Sequence, residues 1–344
     1  MTIQCNLKKV DDWRFSLPKT GAMRTEGLIF TSEKMLPSIC QDKAQEQVAN
    51  VATLPGIVGK SLAMPDIHWG YGFAIGGVAA FDVDRGIISP GGVGYDINCG
   101  CRLLRTNLKA EAVKNKIKDI IYKLFSNIPS GVGSTGKISL NKEEVKNVLK
   151  DGAKWAVKKG FGTAEDLNHI EENGCLESAN PSLVSQRALE RGREQLGTLG
   201  AGNHFLELQV VDRIFDEKVA NVFGLFEGQL TIMIHTGSRG LGYQICDDSI
   251  RNLQGAPAKY GIVLPDRQLV CAPIGSDEAN NYYGAMCAAA NYAWANRQLI
   301  THWTRESAMD VFVKSPAELG LEIIYDVAHN ICKFEEHKFE GKTM

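Results

Sequence analysis

Several features are scarce or absent in this 344-residue sequence, and each absence excludes a class of protein. Positive charge is not in excess, because 38 Lys and Arg residues stand against 40 Asp and Glu residues. A broadly basic surface is therefore excluded, and any contact with nucleic acid has to come from a local cleft. No window approaches the roughly 20 apolar residues of a membrane helix, and the first residues lack the apolar core of a signal peptide. These absences predict a soluble, intracellular protein without membrane contact.

Cysteine pairs and internal repeats are lacking as well. The nine cysteines form no CxxC pair and no regular disulfide framework. This pattern is typical of a reducing cytosol, so we expect a cytoplasmic protein. There is no repeat, no low-complexity linker and no sharp shift in composition. Because 44% of the residues are hydrophobic, the chain can bury a full core, and its even composition favours one interwoven domain over two.

Hydrophobic patterning predicts both strands and helices. The stretch to about residue 104 alternates short apolar runs with Gly and Pro, which is typical of short strands and tight turns. Apolar residues recur at intervals of three and four over residues 109–126, which predicts an amphipathic helix. Further helices are predicted over about 183–195 and 276–312. The last begins with an N-cap at Ser276 and is rich in alanine, so we expect close packing against another element.

The loop of residues 93–101 places the carboxylate of Asp96 three residues before the thiol of Cys99. Three histidines far downstream, His204, His235 and His329, are their natural partners. Carboxylate, thiolate and imidazole together suit a late first-row divalent ion better than Mg²⁺ or Ca²⁺. A thiolate can also bridge two ions. The full donor set therefore favours a metalloenzyme, whereas Asp96 and Cys99 alone would favour an Asx turn followed by a buried cysteine.

The positions of the three histidines strengthen this hypothesis. His235 and His329 each follow an apolar run that predicts a buried strand, and His204 follows a glycine loop. Ligands at strand ends are held by a rigid sheet, and neighbouring glycines let backbone amides approach a phosphate. A glycine loop is predicted over residues 236–242, where Arg239 is suited to bind phosphate. The alternative is a flexible turn with a solvated arginine.

Other motifs give weaker indications. Asp66 and His68 point the same way if their segment is extended, and a functional role there is balanced against a structural turn. Residues 131–138 nearly match a P-loop, but Ile138 replaces the required Ser or Thr and no strand precedes them. We predict an ordinary loop there, with a substrate-facing position left open. The remaining histidines are predicted to be surface or core residues: His169, His302 and His337.

Five ordered blocks of this sequence closely resemble the RtcB family of RNA-splicing ligases: residues 64–70, 94–100, 196–207, 235–240 and 326–330. The resemblance spans nearly the whole chain. It implies an α+β fold, a single large interwoven domain over residues 1–344 with several sheets flanked by helices around a metal-binding cleft. It also implies an enzyme that uses GTP and Mn²⁺ to join an RNA 2′,3′-cyclic phosphate or 3′-phosphate to a 5′-hydroxyl, in tRNA splicing or RNA repair.

The resemblance further implies roles for individual residues. Asp96, Cys99 and His204 would hold one Mn²⁺, and Cys99, His235 and His329 the other. Arg239 would contact RNA phosphate, and Asp66 would lie near the attacking hydroxyl. Glu207 would accept hydrogen bonds from guanine, which favours GTP over ATP. The guanine nucleotide site as a whole would comprise Asn203, His204, Phe205, Leu206, Glu207, His329 and Asn330.

One departure from the family pattern affects the expected activity. In the family, a histidine in a later Gly- and Ala-rich segment carries the nucleotide covalently, and His337 does not match that motif. We therefore expect a chain cut off after its last metal ligand, which binds metal but does not ligate alone. An activating protein partner is left open. The alternatives are a dinuclear metallohydrolase acting on phosphate esters and a non-catalytic RNA-binding fragment.

Overall fold

The computed structural model describes residues 6–343. Residues 1–5, which belong to the segment used for the signal-peptide prediction and include Cys5, lie outside the described residues, as does residue 344. Contacts divide the chain into two compact units, each built from segments that are distant in sequence. Within the described part, unit 1 comprises residues 6–95, 246–283 and 332–343, and unit 2 comprises residues 96–245 and 284–331.

Thirteen strands occur in the described part of the chain. They are β1 (Lys8–Lys9), β2 (Arg14–Leu17), β3 (Gly27–Phe30), β4 (Ile57–His68), β5 (Ile75–Phe81), β6 (Ile87–Ile88), β7 (Gly100–Lys109), β8 (Phe205–Val210), β9 (Gln229–Thr236), β10 (Ala272–Pro273), β11 (Glu322–Ala328), β12 (Lys338–Phe339) and β13 (Lys342–Thr343).

Thirteen α-helices accompany these strands over residues 6–343. They are α1 (Leu36–Asp42), α2 (Ala44–Val51), α3 (Pro90–Val93), α4 (Ile117–Asn127), α5 (Lys142–Asp151), α6 (Ala153–Lys158), α7 (Ala164–Asn168), α8 (Gln186–Gln195), α9 (Glu217–Phe223), α10 (Arg239–Leu253), α11 (Ala256–Lys259), α12 (Asp277–Phe312) and α13 (Pro316–Leu319). Short 3-10 helices span Glu33–Met35, Ala110–Lys116, Glu171–Gly174, Pro181–Leu183 and Arg267–Leu269.

Unit 1 contains a five-stranded sheet in the order β1-β2-β3-β4-β5, in which only the β3–β4 pair is parallel. The predicted strands and turns of the N-terminal stretch are present, but α1 and α2 were not predicted there. Proline in the first turn starts α1, and both helices bury apolar side chains in one cluster with the sheet. The cluster comprises Leu17, Ile29, Ile39, Ala44, Val48, Ala63, Ile67 and Ala74.

Unit 2 contains a four-stranded antiparallel sheet in the order β11-β7-β9-β8. Ile323, Leu104 and Ile232 are partners across its strands and are all buried. Arg102, two residues before Leu104, pairs with Asp326, which is three residues after Ile323 because the register shifts between Ile323 and Tyr325. Polar side chains of α12 contact this pair: Arg297, Gln298 and Thr301. Charged and polar side chains therefore join this sheet to α12.

The predicted alanine-rich helix is confirmed as α12. Ser276 caps it, since its Oγ accepts a hydrogen bond from the Ala279 N–H at 3.2 Å. The alanines in the prediction are at most 4% exposed, which agrees with the expected close packing. The predicted helix over 183–195 is shorter, because the Ser185 side chain caps α8.

The predicted helix over residues 109–126 is correct only in its second half. Lys109 still pairs with Gln229 in the sheet, and the Ala110 N–H donates to the carbonyl of Gly228 at 2.9 Å. These bonds hold the backbone at the end of β7, so a 3-10 helix intervenes and α4 begins only at Ile117.

The predicted α+β fold, with several sheets and flanking helices, is confirmed. In the described part of the chain, no helix combines the length and apolar character needed to cross a bilayer. The extent of the domain over residues 1–344 stays a prediction.

Candidate metal centre

The sheet of unit 2 brings the five predicted ligands together at the same end of its strands. Cys99 directly precedes β7, His204 directly precedes β8, His235 lies at the end of β9 and His329 directly follows β11. In the order β11-β7-β9-β8, the starts of β7 and β8 meet the ends of β9 and β11, since every pair is antiparallel. Sheet topology alone therefore gathers side chains that are more than 200 residues apart in the chain.

The ligand atoms form two groups that share Cys99. In one, His204 Nε2 lies 2.7 Å from Asp96 Oδ2 and 3.4 Å from Cys99 Sγ. In the other, His235 Nε2 lies 3.2 Å from Cys99 Sγ and 3.3 Å from His329 Nε2. Within each group the ligand atoms lie within 4.8 Å of one another. The predicted ligand set thus falls into two triads, with the sulfur common to both.

The chemistry of these donors fits bound metal. His235 Nε2 faces a thiol and a second imidazole nitrogen, so a single proton on that atom cannot satisfy both neighbours as well as a shared cation can. Cys99 is buried, His235 is half-buried and His329 is exposed. The second triad therefore reaches solvent at His329.

The surroundings shift the pKa values of these groups in different directions. Burial would raise the pKa of Asp96, but the hydrogen bond and charge of His204 outweigh it and lower that pKa. Burial raises the pKa of the Cys99 thiol, the negative charge of Asp96 adds to this, and Arg297 partly offsets it. Burial, followed by the nearby His329 and His204, lowers the pKa of His235 to about 4. His235 is therefore a neutral imidazole at pH 7, as a metal ligand must be.

Backbone hydrogen bonds fix the loop that carries Asp96 and Cys99. The Cys99 N–H donates to the Asp96 carbonyl, and the His329 N–H donates to the Cys99 carbonyl, both at 2.9 Å. The Asn98 N–H donates to the Asn330 carbonyl at 2.7 Å, and the Asn330 side chain donates to the Asp96 carbonyl at 3.2 Å. Asn330 therefore joins the two ligand-bearing segments, and its predicted contact with nucleotide stays a prediction.

Two glycines make space for ligands. A Cβ on Gly237 would lie 2.5 Å from an oxygen of the Asp96 carboxylate. Gly200 has a φ of +100°, and a Cβ there would collide with both the Arg239 guanidinium and the His204 ring. The glycines beside His204 and His235 therefore serve close packing of functional side chains.

Gly237→Ala is expected to weaken metal binding about 10-fold or more, because the new methyl displaces the Asp96 carboxylate from His204. Isothermal titration calorimetry with Mn²⁺ measures the effect. Gly255→Ala is the control, since a Cβ at Gly255 has no neighbour within 4 Å and its φ is ordinary. Equal Mn²⁺ affinity in the two variants would contradict the prediction.

The segment after His235 differs from the predicted glycine loop. Strand β9 ends at Thr236, and α10 already begins at Arg239, so Gly240 and Gly242 are helical. Gly242 is required because a Cβ there would overlap the Ser238 side chain. Arg239 adopts a φ of +56° and donates from Nε to Thr198 Oγ1 at 3.2 Å. Arg239 therefore lies at a helix N-terminus instead of within a loop. Its contact with phosphate stays a prediction.

The residues predicted to bind guanine, 203–207, run from an exposed loop into β8. Phe205 packs edge to face on His235, with ring centroids 5.2 Å apart. Glu207 lies two positions further along the strand, so it shares this face. It is exposed and accepts a hydrogen bond from Gln209 Nε2 at 2.6 Å. Leu206 pairs with Ile234 on the opposite face.

Asp66 and His68 lie in unit 1, on β4. Both are exposed and Ile67 between them is buried, as predicted for an extended segment. His68 Nδ1 lies 2.7 Å from the Asp66 carbonyl oxygen. The five predicted ligands all belong to unit 2, and the catalytic role of Asp66 stays a prediction.

The remaining candidates have ordinary partners. The three histidines predicted to be surface or core residues each lie within 4 Å of a glutamate oxygen: His169 with Glu165, His302 with Glu306 and His337 with Glu335. The near P-loop is irregular, as predicted, and its Gly131 N–H donates to the carbonyl of Gly200 at 2.7 Å.

The sequence reasoning missed the residues that support the ligands from behind. Arg297 and Asp326 are completely buried and form an ion pair, with Nη2 and Oδ1 2.8 Å apart. The sequence did contain a signal for Arg297. It is a charged residue in the alanine-rich helix α12, which was predicted to be buried, and a buried charge needs a partner.

Together the α+β fold and the two donor triads are typical of an enzyme that uses metal. A family model described as tRNA-splicing ligase RtcB matches residues 47–344. Relatives described as tRNA-splicing ligase RtcB share this similarity along nearly the whole chain. The protein of Archaeoglobus fulgidus is 55% identical over 346 residues, covering 100% of this chain and 72% of the relative. The Thermococcus kodakarensis protein is 54% identical over 339 residues, covering 98% and 70%. The chain therefore belongs to the RtcB family of tRNA-splicing ligases, and it is an RNA ligase by that membership.

Proposed function

We propose that this RNA ligase uses two Mn²⁺ ions and GTP to join an RNA 2′,3′-cyclic phosphate or 3′-phosphate to a 5′-hydroxyl, in tRNA splicing or RNA repair. The observation that carries the proposal is the pair of donor triads that share Cys99. A mononuclear site needs only one such triad. Two triads with a common sulfur are suited to two cations a short distance apart.

Asp96, Cys99 and His204 are proposed to hold one ion, and Cys99, His235 and His329 the other. When bound, the ions supply positive charge that neutralises phosphate and lowers the pKa of a hydroxyl. The protein contributes a rigid frame, because the ligands lie at strand ends and their loop is fixed by backbone hydrogen bonds. Mixed thiolate and imidazole donors also bind Zn²⁺ and Co²⁺, so occupancy in the cell depends on metal availability.

The guanine nucleotide is proposed to bind along the edge strand β8 and the adjoining loop. Phe205 offers a ring beside His235, and Glu207 offers a carboxylate on the same face of the sheet. A carboxylate accepts hydrogen bonds from the N–H groups of guanine, which adenine does not present in the same pattern. Asn203, Leu206 and Asn330 complete the proposed site with His204 and His329.

Glu207→Gln is expected to reduce the preference for GTP over ATP about 10-fold or more, because hydrogen bonds to a charged group contribute about 1.5–3 kcal/mol. Calorimetric dissociation constants for GTP and ATP, each measured with Mn²⁺, give the preference. Asp212→Asn is the matched control, since it removes an exposed carboxylate beyond the end of β8. An unchanged GTP to ATP ratio in the Glu207 variant would remove Glu207 from the site.

Contacts with the RNA are proposed for two further residues. Arg239 has the planar guanidinium that binds phosphate, and its neighbour Gly200 leaves space for it beside His204. Asp66 is exposed, and its carboxylate can accept a hydrogen bond from a hydroxyl. The domain is proposed to extend over residues 1–344 and to act in the cytoplasm, with an activating protein as a further partner.

A ligation assay tests the proposed function. One RNA ends in a 2′,3′-cyclic phosphate and the other begins with a 5′-hydroxyl. The assay is run with the 344-residue chain and with the same chain extended by the family segment that carries the nucleotide-accepting histidine. Joined product that requires both GTP and Mn²⁺ is expected from the extended polypeptide, which carries the nucleotide-accepting histidine. Phosphate ester hydrolysis without GTP dependence would instead favour a dinuclear hydrolase, and RNA binding without turnover in both polypeptides would favour a non-catalytic role.

A further inference from the structure

A single buried arginine contacts three of the segments that carry the metal ligands. Arg297 lies in α12 and is 0% exposed. Its Nη1 donates to the carbonyls of Asn98 and Thr236, both at 2.8 Å. Its Nη2 donates to Asn98 Oδ1 at 2.9 Å and to Asp326 Oδ1 at 2.8 Å, and its Nε donates to Asp326 Oδ2 at 2.8 Å. These five bonds match the five N–H donors of a guanidinium.

Each acceptor lies close to a ligand along the chain. Asn98 directly precedes Cys99, and Thr236 directly follows His235. Asp326 lies on β11, three residues before His329. The guanidinium is planar and rigid, so its bonds fix the relative positions of the three segments more tightly than separate contacts would.

We propose that Arg297 is a positioning residue that sets the geometry of the second triad, Cys99, His235 and His329. The inference rests on the proposed metal centre. It goes beyond that centre because Arg297 makes no hydrogen bond to a ligand side chain. It acts instead through the backbone carbonyls of Asn98 and Thr236 and through the side chains of Asn98 and Asp326.

Arg102 offers a matched comparison. It is also 0% exposed, and its Nε donates to Asp326 Oδ2 at 2.7 Å. Its remaining hydrogen bonds reach Gln298 and Thr301 of α12, neither of which adjoins a metal ligand. A purely structural role for the buried charge cluster therefore predicts equal effects from the two arginines, whereas the positioning role predicts a difference in metal binding.

Lysine substitution separates hydrogen bonding from charge. Arg297→Lys keeps the positive charge opposite Asp326, but an ammonium has three donors at one point and cannot span Asn98, Thr236 and Asp326 together. Arg102→Lys makes the same chemical change in the same cluster. Both variants are compared with the unaltered chain after circular dichroism has shown which of them are folded.

The experiment measures Mn²⁺ affinity by calorimetry and Co²⁺ binding by the thiolate-to-cobalt absorption band. Arg297→Lys is expected to weaken affinity about 10- to 100-fold and to diminish the band, as loss of groups supporting ligands commonly does. Arg102→Lys is expected to change affinity less than about 3-fold by the same reasoning. Equal losses in both variants, or wild-type affinity in Arg297→Lys, would overturn the proposal.

A second variant covers the case in which Arg297→Lys does not fold. Asn98→Gly removes one acceptor of Arg297 while tolerating the φ of +52° at this position. A drop in affinity of about 10-fold is expected, and wild-type affinity in this variant would overturn the proposal. If the unaltered chain binds neither Mn²⁺ nor Co²⁺, the proposed metal centre itself fails, and the role of Arg297 fails with it.

Discussion

Cys99→Ala is expected to abolish binding of both metal ions, whereas loss of any other ligand removes a donor from one triad only. Cys99 is the one residue shared by the two donor groups among the described residues, and its sulfur lies 3.4 Å from His204 Nε2 and 3.2 Å from His235 Nε2. Loss of a direct ligand is expected to exceed the 10- to 100-fold effect typical of supporting groups, so affinity falls by more than about 100-fold. Calorimetry with Mn²⁺ gives both affinity and stoichiometry.

Cys101→Ala provides the control for this experiment. Cys101 is two residues further along the same segment, is half-buried and belongs to neither triad. Its replacement is expected to leave two ions bound. Retention of a single tightly bound ion by Cys99→Ala would show that the two triads are independent, and the bridging role of the sulfur would have to be abandoned.

Asp326→Asn is expected to lower the free energy of unfolding by about 3–5 kcal/mol, the range observed when one partner of a buried ion pair is removed. Asp326 accepts hydrogen bonds from Arg102 and Arg297, and all three side chains are 0% exposed. The substitution leaves two buried positive charges without a counter-charge. Urea denaturation measures the difference, and Val327→Ala on the same strand is the control, because Val327 is 48% exposed. A loss no larger than that of the control would contradict the expectation.

The same carboxylate predicts a dependence of stability on pH. Burial alone would raise the pKa of Asp326, but the charges and hydrogen bonds of Arg297 and Arg102 outweigh it and hold the pKa below its ordinary value of 3.8. A lowered pKa in the folded state means that the ion pairs stabilise the protein fully above about pH 4 and lose this effect as the pH falls further. As the pH falls below about 4, the unfolding free energy of Asp326→Asn is therefore expected to change less than that of the unaltered chain.

Much of the candidate site could be predicted because a carboxylate, a thiol and three imidazoles form a donor set that is typical of metal sites. Strands before His235 and His329 followed from apolar runs, and the sheet then brings both imidazoles to Cys99. The sequence could not give the order β11-β7-β9-β8, however, because strand pairing depends on contacts between distant segments and not on local pattern. Convergence of the ligands was therefore a hypothesis until the sheet was known.

Other features were missed for local physical reasons. Residues 110–116 have helical periodicity, but their first N–H group is bound to the adjoining sheet, so tertiary contacts override local preference. The glycines after His235 were expected in a loop, yet Gly242 lies in α10, at a position where only glycine fits against Ser238. Arg297 was overlooked because periodicity describes apolar faces and says nothing of buried charge.

The position of β11 in the sheet has a consequence for biosynthesis. Asp96, Cys99 and His204 leave the ribosome long before His329, and β7 has an unpaired edge until β11 adds to it. The hydrogen bonds of His329 and Asn330 that fix the loop carrying Asp96 and Cys99 also form only when that edge closes. Both cation sites are therefore expected to reach their final geometry together, late in folding.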